Sequence, residues 1–132
     1  MNFRSFGATL AGISVAFLLI YLMELLGMQL FPPEKKFKPE NLVQLKELLA
    51  SIPIAALIVV ILAHGCAVLA GAWVINRIEP SAQVGLLVFF LLIFVSTAMN
   101  LLTLPHPFWF EVTDMAVVLV SGLIAWRTIN WK

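Results

Sequence analysis

The stretch IPIAALIVVILAHGCAVLAGAWVIN, residues 52–76, runs for 25 residues without an aspartate, glutamate, lysine or arginine. A helix rises about 1.5 Å per residue, so roughly 20 apolar residues are enough to cross the hydrocarbon of a bilayer. The run lacks the two-residue alternation of a barrel strand and is far longer than one. It reads as a transmembrane helix.

The rest of the chain follows the same pattern. Segments 5–30, 83–104 and 108–129 are also apolar and near or above spanning length. Of the 132 residues, 62% are hydrophobic and 11% charged, and the mean hydropathy is +1.04. A soluble domain carries roughly a quarter charged residues, so this chain has too few polar side chains to cover a core in water. The connections at 77–82 and 105–107 are short, which makes consecutive helices antiparallel neighbours. The sequence therefore predicts a single all-α domain over residues 1–132, a membrane-embedded antiparallel four-helix bundle.

The first segment begins like a secretory signal, with Arg4 ahead of an apolar run. That run exceeds a usual signal h-region, and no A-x-A site precedes FPPEKKFKPE, so it reads as a retained helix. The linker at 31–51 is broken by Pro32, Pro33 and Pro39. Beyond Pro39, Leu42, Leu45, Leu48 and Leu49 form one stripe between Asn41, Gln44, Lys46 and Glu47. This pattern predicts a short amphipathic helix over about 40–51, lying in the membrane interface.

Several function classes fall away. The formal charge is +1 and the basic residues do not gather into a stripe, which argues against nucleic acid as a partner. Cys66 is the only cysteine, so one chain can hold no internal disulfide, CxxC pair or cysteine zinc site. No HExxH, GxSxG, phosphate loop or dinucleotide fingerprint is present, and no metal or other cofactor is expected. Arg4, Arg77, Arg127 and Lys132 share one side and Lys35, Lys36, Lys38 and Lys46 the other. This even division leaves the positive-inside rule undecided; a dominant first helix would put both termini in the cytoplasm.

Polar groups inside the apolar segments need a reason to be there, because each costs several kcal/mol. The candidates are Glu24, His64, Asn100, Glu111 and Asp114. Counting from segment centres, His64 lies near the midplane, Asp114 roughly 6 Å from it, and the other three roughly 10 Å. Glu24, Asn100, Glu111 and Asp114 fall in the linker-side leaflet and could form one polar cluster. Each also has a plainer reading. Glu111 and Asp114 suit the first turns of a helix, with Pro107 at its first position. Asn100 suits a bond between helices. Glu24 is compatible with snorkelling or a protonated carboxyl.

Two runs of small residues, Ala8/Gly12/Ala16 and Ala63/Ala67/Gly71, have the spacing that lets helix backbones approach closely. His64 lies beside the second run and is expected to bond within a tight helix interface. Phe108, Trp109 and Phe110 at one end, and Trp126 and Trp131 at the other, read as aromatic anchors at the membrane surfaces.

At NLLTLPHPFWF the chain resembles small uncharacterised four-helix bacterial integral membrane proteins with an Asn-Leu…PHPxWF turn, here Asn100, Leu101, Pro105, His106, Pro107, Trp109 and Phe110. The segment LAHGCAVLAGAWVINRI is similar to their second helix. The resemblance implies a four-helix fold in a bacterial inner membrane and carries no activity. The expected function is that of an accessory or scaffolding subunit, in a homo-oligomer or with a membrane-protein partner, and not of an enzyme. The alternative is a small transporter or proton-coupled carrier using Glu24 and Asp114.

Overall fold

A computed structural model describes residues 2–34 and 38–130. The described residues form five helices and no strand: α1 (Phe3–Leu30), α2 (Leu42–Ala50), α3 (Ile54–Ile78), α4 (Gln83–Thr103) and α5 (Phe108–Asn130). All but α2 are long and apolar enough to cross a membrane.

The helix boundaries follow local chemistry. Asn2 caps α1, its side chain accepting from Ser5 N at 2.7 Å, and Asn41 caps α2 through Gln44 N at 3.0 Å. Helix α3 starts at Ile54, two residues later than the apolar run suggests. Pro53 holds an extended backbone, and its carbonyl accepts from Ala56 N at 2.9 Å. Helix α4 stops at Thr103 because Leu104 precedes Pro105 and is held out of the helical region. Pro107 sits one residue before α5 rather than at its first position, and its carbonyl accepts from Phe110 N and Glu111 N.

Helix α3 is the centre of the molecule. It packs most extensively on α1, next on α5, and more lightly on α4. The α1–α3 seam is built from small residues: Ala8, Gly12, Ala16, Ala63, Ala67 and Gly71 are all buried. A Cβ on Gly12 would lie 2.7 Å from the Gly71 carbonyl oxygen, and one on Gly71 would lie 2.8 Å from the Gly12 carbonyl oxygen. The two backbones touch there, and only glycine on both sides permits it. Further along, Gly27 meets Val59 and Ala56. A second close approach joins α1 to α4, where Gly85 faces Thr9 and Ser5.

Larger apolar side chains fill the remaining core, with Phe89, Leu86, Ile93, Ile75 and Val68 in one cluster and Leu57, Ile61 and Phe110 in another. The outer faces are apolar as well. Leu10, Phe17, Leu18, Tyr21, Leu22 and Leu25 all point outward from α1. Small residues inside and large apolar ones outside is the reverse of a water-soluble helix.

One end of the molecule is closed by Arg4. Its guanidinium donates to the Ile78 carbonyl at 2.9 Å and pairs with Glu79 at 3.4 Å. Ile129 of α5 meets the 75–86 segment at the same end. Ser81 donates to the Glu79 carboxylate through both its hydroxyl and its backbone N–H, which holds that carboxyl below its usual pKa, with a smaller contribution from Arg4. At the opposite end, α2 makes no close helix–helix contact among the described residues and borders a groove shared with the 101–105 segment and Glu111.

Candidate functional site: a buried histidine–aspartate pair

Helix α5 turns one face inward, carrying Phe110, Asp114, Val118, Ser121 and Ala125. Their spacing of three to four residues is the helical repeat, so a single stripe meets α3. Gly65 lets the two helices close: a Cβ there would lie 2.8 Å from Val117 Cγ1 and 3.3 Å from Ser121 Oγ. This approach brings His64, the neighbour of Gly65, onto Asp114.

His64 Nδ1 lies 2.7 Å from Asp114 Oδ1 and 2.9 Å from Oδ2. A carboxylate offers only acceptors, so Nδ1–H donates and the imidazole is held in one orientation. Asp114 is 0% exposed, and the side chain of His64 retains 10%. Burying a lone carboxylate in an apolar medium is prohibitive, whereas a carboxylate against a ring N–H is tolerated. The pair is a polar clasp across the α3–α5 seam. Glu24 of α1 is half-buried and within electrostatic reach of both partners.

The other expected members lie apart. Asn100 is exposed at the end of α4, where its side-chain oxygen faces His106 Nε2 at 3.2 Å. His106 packs against Phe110 with the rings tilted by 46° and their centroids 4.8 Å apart, and its Nδ1 is buried without a hydrogen-bond partner among the described residues. Burial of this ring lowers its pKa, with Glu111 and Asp114 pulling weakly the other way. Glu111 is half-buried in the first turn of α5 and borders the groove that Lys46 lines. The five polar residues thus divide into the His64–Asp114 pair with Glu24 near it, Asn100 against His106 in the outer turn, and Glu111 at the α2 groove.

Three sequence expectations change. Asp114 does not serve the start of α5; only Glu111 occupies the first turn, and Asp114 turns inward to His64. His64 bonds across to Asp114 of α5 rather than within the small-residue seam with α1, at the close approach that Gly65 opens. Phe110 is 2% exposed and belongs to the core, while Phe108 is 78% exposed and Trp109 is also turned outward. A step of two residues along a helix reverses the facing of a side chain, which separates Phe110 from Phe108. Trp126 is exposed, and Trp131 lies outside the described residues.

Gly65 and Ser121 carry the close approach and were not singled out by the sequence reading. Ser121 lies seven residues after Asp114 on the same face, and that spacing was the available signal. Among the described residues, no three of His, Cys, Asp and Glu lie together so that they could hold a metal ion. No family model, curated protein or solved structure matches this chain.

Proposed function

We propose that the chain is a multi-pass protein of the bacterial inner membrane, an antiparallel four-helix bundle that acts as an accessory or scaffolding subunit. Contact register supports the antiparallel arrangement: Gly12 meets Gly71 and Ile75, whereas Gly27, fifteen residues later, meets Ala56 and Val59. The long apolar outer faces support the membrane setting, with both termini on the cytoplasmic side and α2 in the opposite interface. The observation that carries the accessory reading is the closure of the His64–Asp114 pair. Asp114 is 0% exposed and spends both carboxylate oxygens on His64, so it offers no open position to a cargo. What the molecule presents to its surroundings is apolar helix surface, suited to other membrane helices, either a second copy or a different subunit.

Native mass spectrometry after extraction in a mild detergent tests this. A homo-oligomer or a co-purifying membrane protein at fixed stoichiometry is the expected result, and a lone protomer overturns it. A second reading is favoured by the position of Glu24, half-buried beside the pair. There Glu24, His64 and Asp114 would pass a proton between the linker-side surface and the middle of the bundle. That reading requires proton flux in liposomes to disappear in Glu24→Gln.

A further inference from the structure

A groove of about 600 Å³ opens between the last turns of α3 and α5, at the end closed by Arg4. Its walls combine two chemistries. Leu69, Trp73 and Ile124 give an apolar trough, and Trp73 is 64% exposed. Asn76, Arg77 and Thr128 line it with polar atoms.

Arg77 is the notable member. Arg4 at this end is paired with Glu79, but no carboxylate among the described residues pairs with Arg77. Three arginines, Arg4, Arg77 and Arg127, stand at this end against one acid, Glu79, leaving a net of two positive charges among the described residues. The Thr128 hydroxyl already donates to the Ile124 and Ala125 carbonyls at 3.0 Å, so its oxygen faces the groove as an acceptor only.

We propose that this groove binds an anionic phospholipid with a hydroxyl-bearing headgroup, such as phosphatidylglycerol. The inference rests on the membrane-spanning reading. Arg77 takes the phosphate through its forked donors, and the Asn76 amide adds another. Thr128 accepts from a headgroup hydroxyl. The acyl chain lies against Leu69 and Ile124, and Trp73 sits at the level where indoles meet headgroups. An apolar trough below an unpaired arginine fits an amphiphile and gives free phosphate nothing to hold its far side. Basic pockets between helices on a cytoplasmic side are sites of this kind.

Purified, delipidated protein in a neutral detergent is titrated with phosphatidylglycerol or phosphatidylcholine and read by native mass spectrometry. The wild type retains phosphatidylglycerol in preference. Arg77→Gln weakens that retention about tenfold, the loss of one charge-assisted contact. Arg127→Gln removes the same charge outside the groove and leaves retention unchanged. Equal losses in the two variants would mean diffuse attraction and overturn the site. Competition by millimolar inorganic phosphate would overturn the assignment to lipid. A second readout uses the native arginine: brominated phosphatidylglycerol quenches tryptophan fluorescence more than brominated phosphatidylcholine, and Trp73→Phe removes the difference. Absence of that difference in the wild type sinks the proposal. A chain that stays dispersed without detergent sinks the membrane reading beneath it instead.

Discussion

Asp114 and His64 show how one contact can hold two helices in register when the surroundings are apolar. Removing Asp114 leaves a buried ring N–H without an acceptor, so Asp114→Leu lowers stability by about 3 kcal/mol. The double variant His64→Leu/Asp114→Leu returns to within about 1 kcal/mol of the parent, since an apolar pair can replace a buried polar one at little cost. Thermal unfolding in detergent reads both, and a double variant as damaged as the single one refutes the clasp. His106 gives a prediction in pH. Burial holds its pKa below the usual histidine value of 6.5, so the folded state binds fewer protons than the unfolded state just below that value. The turn at 104–107 therefore loses stability as pH falls through about 6.5 and towards the depressed folded value. Protection of the Phe110 and Glu111 amides, whose N–H groups bond to Pro107, should fall from about pH 7.5 to about pH 5 once the pH dependence of intrinsic exchange is divided out. His106→Gln should flatten that dependence, and unchanged protection in the parent contradicts it.

Among the elements, α1 and α3 depend on a glycine pair and α2 on a cap. Gly12→Ala and Gly71→Ala each place a methyl within 2.8 Å of a facing backbone oxygen. Overpacking of this kind costs about 1–3 kcal/mol, and each substitution should lower the unfolding midpoint in detergent. Gly7→Ala is the control, because nothing lies within 4 Å of its added carbon. Equal effects at positions 7 and 12 would refute the close seam. Asn41→Ala removes the cap of a nine-residue helix without buried residues, so α2 loses about 1 kcal/mol of local stability and exchanges faster, with the other helices unaffected. The elements were legible in the sequence because their signals are local: apolar length, prolines at 105 and 107, and the small-residue spacing of Ala8, Gly12 and Ala16. The partner of His64 was not legible. Pairing of α3 with α5 is tertiary, and its cause, Gly65 opposite Ser121, is one glycine among several small residues. Phe110 was misplaced because three consecutive aromatics look alike in sequence and only helical phase separates them.

At the scale of the whole molecule, Arg4 on Glu79 and Ile78 gathers the N-terminus and the 79–82 turn at one end. The prolines of the linker and the PHP turn mark the other. In the proposed topology these ends lie on opposite sides of the bilayer, with His64 and Asp114 between them. Labelling with a membrane-impermeant maleimide tests this most directly, using single cysteines at Glu40 and Ser81 in a Cys66→Ser background. Both positions are exposed. In right-side-out vesicles Glu40→Cys should react and Ser81→Cys should react only after permeabilisation, with the order reversed in inverted vesicles. Reaction of both from the same side would contradict the four-helix membrane bundle.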